Sequence, residues 1–162
     1  MALPPANELA KACRVSQTIG GALLVSLGVY AVVVSQFQRA YAPFTGFAPG
    51  VPHEQLRWIL AAIALATLGL IRFLQRTILS NATLPPVRRL QSAAVVGLAL
   101  CESVAVYGFV LFLMAGRASD FYVFTALALA GFVVYFPRLT TWEERARTMA
   151  RDDAGRRITP GT

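Results

Sequence analysis

Charge is scarce in this chain. Only 14% of its 162 residues are Asp, Glu, Lys or Arg, where soluble domains carry roughly a quarter, and that shortage excludes an ordinary soluble surface. Cysteine is also rare. Cys13 precedes the first apolar run and Cys101 lies deep inside the third, so a bridge between them would have to span very different depths and no disulfide framework is expected. The lone His53 and the lack of any Cys/His/Asp/Glu cluster leave no metal site that spacing would support. There is no glycine-rich phosphate loop and no Ser/His/Asp arrangement, and a single carboxylate without a nucleophile or partner base makes no reaction class. Neither a catalytic constellation nor a cofactor is expected.

Apolar residues are abundant, at 56%. They gather into four stretches, about 15–34, 56–79, 90–114 and 121–136, each near the roughly 20 residues that a helix needs to cross a bilayer. The expected fold is all-α: an integral membrane protein of four transmembrane helices, arranged as two helical hairpins over residues 1–138, followed by a cytoplasmic tail, 139–162, with a short helix. Arg72 and Arg76 make the end of the second span polar and should snorkel to headgroups. The fourth span is short, and Asp120 and Arg138 must reach its interfaces.

The net charge of +7 could fit a nucleic-acid partner, but the basic residues flank apolar runs, as orientation signals do, so no nucleic acid is expected. Lys11 and Arg14 precede the first span. Arg72, Arg76, Arg88 and Arg89 surround the second connection, and Arg138, Arg145, Arg147, Arg151, Arg156 and Arg157 follow the fourth span. The other side holds only Arg39, Arg57 and Arg117. The positive-inside rule then puts both termini in the cytoplasm of a multi-pass protein of the cell inner (plasma) membrane. The sequon Asn81-Ala82-Thr83 falls on that cytoplasmic side and is read as accidental. A rival reading makes the first run a signal peptide cleaved near Ala40-Tyr41-Ala42. Its apolar stretch exceeds the roughly 7–15 residues of such segments, which favours a retained span.

Between the first two spans, Pro43, Gly46, Pro49, Gly50 and Pro52 break any helix, while Phe37, Tyr41, Phe44 and Phe47 suit the interfacial layer. This segment reads either as a lid lying on the membrane or as a plain connector. Beyond Pro137, Thr141-Trp142-Glu143-Glu144 fits a capping box opening a helix that ends near Ala154, with Trp142 at the interface and a disordered Gly-Pro-Thr-containing end. Arginines of this tail face water or anionic lipid.

One constellation carries chemistry. Ala93, Gly97, Cys101 and Ala105 recur every fourth residue and form a ridge without bulk along the third span, the surface that lets helices approach closely in lipid. Glu102 sits beside this ridge, with Val95, Ala99, Ala105, Val106 and Phe109 on the same side. An ionised side chain at this depth costs about 2.5–3.5 kcal/mol on insertion scales, so a protonated acid that loads and releases its proton is expected. The alternative is a permanently protonated acid that only hydrogen-bonds a neighbouring helix, a role worth about 1 kcal/mol.

The run from Ala94 through Gly97-Leu98-Ala99-Leu100-Cys101-Glu102-Ser103 to Tyr107-Gly108-Phe109-Val110-Leu111, with its Pro85-Pro86 and Arg88-Arg89 lead-in, resembles the second helix of subunit c, the proteolipid of F-type ATP synthase rotors. The resemblance implies that Glu102 is the ion-binding carboxylate and that Tyr107 helps close its site. Ser103 follows the acid as in some sodium-binding members, but Val104 stands where those members carry a hydroxyl, so the implied ion is the proton. The chain differs from the family in having four spans rather than two, and in a second span without the glycine repeat. Two functions are therefore expected: a proteolipid-like subunit or accessory of an ion-translocating complex, binding protons at Glu102, or a membrane scaffold or assembly factor whose Glu102 and small-residue ridge dock a partner helix. Membrane lipid and a homo- or hetero-oligomer formed through transmembrane helices are the expected partners.

The arginine distribution makes a direct prediction. Reporter fusions at Pro86 and after Pro137 will report the cytoplasm and a fusion at Gly46 the outside. An externally accessible tail would overturn the four-span topology.

Overall fold

Proline and glycine punctuate the apolar runs, and helices form between them. In the computed structural model, which describes residues 5–158 apart from Pro49 and Ala82, α1 runs Ala6–Ala40, α2 His53–Ser80, α3 Pro86–Ala115, α4 Ala118–Tyr135 and α5 Leu139–Ile158. The expectations placed on Pro49, Ala82 and the last residues of the tail lie outside the described residues. Pro86 opens α3 at a position whose N–H would have no helical partner. Gly116 ends it in the left-handed conformation, φ 73°. Pro137 stops α4. Every described element is helical, and α1 to α4 are each long and apolar enough to cross a membrane.

Helix α3 is the centre of the assembly: α1, α2, α4 and α5 all pack on it. Helices α3 and α4 form a tight hairpin through Gly116 and Arg117. Helices α1 and α2, though consecutive, lie against α3 instead of packing along each other, because α3 offers the surfaces with least bulk. Gly108 is pressed so close to α4 that a Cβ there would sit 2.5 Å from Phe124 Cβ. On α4, a Cβ at Gly131 would sit 2.7 Å from Cys101 Sγ. The main core joins Leu27, Ala64, Ile71, Leu98, Val104, Ala128 and Phe132, drawn from four helices.

Each end of the bundle has its own smaller core. At the Pro85 end, α1 extends well before the expected span and packs its Leu9, Ala12 and Cys13 against Leu90, Ala94, Trp142 and Ala146. Helix α5 starts at Leu139, with Trp142 N–H donating to Arg138 O at 3.1 Å. Thr141 and Glu144 therefore fall inside its first turns instead of framing its start, and Trp142 is buried. At the Gly46 end, the connector folds back over the end of α3. Phe47 N–H donates to Leu113 O at 2.8 Å and Ala48 N–H to Met114 O at 3.1 Å, satisfying carbonyls that the helix leaves unpaired. Gly46, φ 83°, rests on the backbone of Met114 and Ala115, and Gly116 rests on that of Phe44 and Thr45, so neither position has room for a Cβ. Phe44 packs on Phe112 with centroids 5.2 Å apart. The connector is a cap built on α3.

Two glycines test this packing. Gly108→Ala will cost about 1–3 kcal/mol of stability in detergent, since α4 must move outward. Gly69→Ala, where nothing lies within 4 Å of an added Cβ, will be neutral or gain up to about 1 kcal/mol from helix propensity. Equal thermal midpoints for the two variants would refute the close approach at Gly108.

Candidate functional site

Helix α1 places Ser26 and Tyr30 one turn apart on a single face, and that face meets Glu102 of α3. Ser26 Oγ and Tyr30 Oη both donate to Glu102 Oε1, the tyrosine at 3.3 Å. Glu102 is half-buried, with its carboxyl hydrogen-bonded across to α1. Tyr30 is fixed by stacking on Phe109, centroids 5.3 Å apart, and Phe109 meets Phe121 edge-on at 6.3 Å. An aromatic column thus separates the acid from the Gly46 end.

Ser26 also lies 2.7 Å from the carbonyl oxygen of Leu23. A hydroxyl has one proton and can accept through its lone pairs, so Ser26 serves both forms of the acid without moving a heavy atom. With Glu102 ionised, Ser26 donates to the carboxylate. With Glu102 protonated on Oε1, the acid donates to Ser26 Oγ, and the serine proton turns to Leu23 O.

The other residues singled out from sequence are placed differently. Ser103 donates to Ala99 O of its own helix at 3.0 Å, and its hydroxyl is not hydrogen-bonded to the acid. Tyr107 is half-buried and packs against the main core, with no hydrogen bond to Glu102. The small-residue ridge faces other helices of the same chain. Gly97 abuts Ile71 and Gln75 of α2, and Gln75 Nε2 donates to Ala93 O at 3.4 Å. Cys101 abuts Gly131 of α4, and Ala105 is fully buried in the main core. The ridge thus receives α2 and α4, while Glu102, on the adjoining face, receives α1. Arg72 lines a separate cavity towards the Pro85 end and forms no ion pair with Glu102.

Sequence reasoning missed Ser26 and Tyr30. Their i, i+4 spacing within an otherwise apolar run was the available signal. It also left His53 without a role. His53 Nε2 lies 2.7 Å from Asp120 Oδ2, with Arg57 Nη1 3.9 Å from Oδ1, and the group joins the start of α2 to the start of α4. Among the described residues no cluster of three or more His, Cys, Asp or Glu could hold a metal ion.

Comparison with family models, curated proteins and solved structures finds no match to this chain. The functional reading therefore rests on the chain's own chemistry and on the motif around Glu102.

Ser26→Ala will lower thermal stability in detergent by about 1 kcal/mol, the usual scale of a polar contact between membrane helices. Tyr30→Phe, which keeps the stacking on Phe109, will cost less. If Ser26→Ala leaves the midpoint unchanged, the α1–α3 hydrogen bond does not hold the helices together.

Proposed function

We propose that the chain is a multi-pass membrane protein with its Pro85 end in the cytoplasm, and that Glu102 is the proton-binding group of a subunit or accessory of an ion-translocating complex. Insertion is supported by the outward faces of the helices. Val25, Val29 and Val32 on α1, Ile59, Leu65 and Phe73 on α2, and Val123, Val133 and Val134 on α4 are all exposed, an apolar belt that acyl chains would cover. The orientation is supported by the concentration of Lys and Arg at the Pro85 end.

The observation that carries the proton reading is that both hydrogen-bond partners of the Glu102 carboxyl, Ser26 and Tyr30, are hydroxyls, which can donate or accept. A purely structural contact has no need of a hydroxyl equally suited to the carboxylate and the carboxylic acid, and an amide would make it at lower desolvation cost. Among the described residues no Lys, Arg or His forms an ion pair with Glu102. The resemblance of its helix to the ion-binding helix of subunit c points the same way. The docking-face alternative is less well supported, because Glu102 and the small-residue ridge are both occupied by helices of the same chain.

Two measurements test the proposal. A carboxyl-directed carbodiimide will modify Glu102 selectively, and faster as pH falls, because that chemistry needs a protonated acid in apolar surroundings. Glu102→Gln, which can still accept from Ser26 and Tyr30, will fold and insert normally yet abolish pH-coupled flux in reconstituted vesicles. Full flux in this variant, or a Glu102 that stays unmodified while other carboxyls react, would make Glu102 structural.

A further inference from the structure

A cavity of about 590 Å³ opens at the Pro85 end, between the last turns of α2, the first turns of α3 and the joint from α4 to α5. Arg72, Arg76, Arg138 and Arg145 all line it, and no Asp or Glu does. Arginine keeps its charge under any physiological condition, so the cavity carries four fixed positive charges. None of the four has an ion pair or side-chain hydrogen bond among the described residues. Gln75 and Thr141 add hydrogen-bonding groups. The remaining wall is apolar: Leu79, Leu90, Tyr135, Phe136 and the buried Trp142, running out to Val133 and Val134, which are each 68% exposed on the outer face of α4. The volume lies within the roughly 300–1,000 Å³ of small-molecule sites.

From this juxtaposition we infer that the cavity binds the phosphate headgroup of an anionic glycerophospholipid. Guanidinium groups match phosphate oxygens in fork geometry. A soluble phosphate would use only the arginines. A lipid also uses the apolar rim, laying its acyl chains along Val133 and Val134 while its headgroup enters among the arginines. Basic pockets between membrane helices on the cytoplasmic side recognise such headgroups. The inference rests on the membrane reading above but not on the role of Glu102.

The chain's two tryptophans provide the test. Trp142 lines the cavity, whereas Trp58 is 62% exposed on α2 near the Gly46 end. In vesicles of phosphatidylcholine containing brominated phosphatidylglycerol, the Trp58→Phe protein will show Trp142 quenching that corresponds to at least about tenfold preference over brominated phosphatidylcholine. The preference will fall below about twofold in Arg76→Gln/Arg145→Gln. It will persist in Arg39→Gln/Arg117→Gln, which removes the same charge from the opposite end. Equal quenching by the two lipids would overturn the site, as would its reversal by millimolar inorganic phosphate, which would mark a site for soluble anions. If Trp58 in the Trp142→Phe protein also escapes quenching by brominated phosphatidylcholine, the membrane reading fails; if Trp58 is quenched and Trp142 shows no preference, only the headgroup site fails.

Discussion

Close approach to α3 from several sides is the constraint on which the rest of the molecule depends. On the proposed membrane reading the helices are surrounded by acyl chains and gain nothing from hiding apolar surface, so they hold together through dense packing and a few polar contacts. The small residues of α3 meet that demand by direction: Gly97 admits α2, Gly108 admits α4, and Cys101 fits against Gly131. Bulk at Gly108 would push α4 away and, with it, a wall of the main core, whereas at Gly97 the nearest atom is the end of the Gln75 side chain, which can give way. The same closeness explains why α1 and α2 need not pack along each other. Each is already fastened to α3.

The face of α3 left over by that ridge is where the acid sits, and there α1 adds polar contacts to its apolar packing. A carboxyl between two helices must be hydrogen-bonded or pay the cost of its desolvation. Ser26 and Tyr30 supply that bonding without adding charge. Hydroxyls are suited to a titrating group because they donate or accept as required, whereas a lysine or arginine can only donate and would favour one protonation state. On the proposed reading, the contact that docks α1 is also the contact through which the proton is exchanged.

Much of this was legible from residue order. The four apolar stretches appear as helices near their expected places, and the prolines and Gly116 mark their ends, because hydropathy and backbone restriction are local properties. The face carrying Glu102 followed from helical periodicity. Which helix would meet that face did not, since periodicity gives direction on one helix and says nothing about its neighbour. Ser26 and Tyr30 stand at i, i+4 in the first apolar run, but their link to Glu102 joins residues distant in the sequence. The same applies to His53 and Asp120, and to the connector whose Phe47 and Ala48 cap α3. Thr141 to Glu144 misled for a different reason: Pro137 already frees the chain to restart its helix at Leu139, so the capping-box pattern lies within the helix.

The placement of charge along the bundle has a further logic. Asp120 at the Gly46 end is met by His53 and Arg57, so that acid is already partnered within the chain. At the Pro85 end, Arg72, Arg76, Arg138 and Arg145 meet no acid within their cavity. An opposite charge within a few ångströms holds a carboxylate ionised, so the proposed proton exchange at Glu102 requires these cations to stay away from it. On the proposed reading, keeping them at the interface satisfies three requirements together: it orients the chain, it leaves a basic cavity for phosphate, and it keeps the middle of the bundle free of fixed positive charge. An arginine moved from that cavity to the level of Glu102 would supply the acid with a permanent partner, and the two-way hydrogen bonding of Ser26 would lose its purpose.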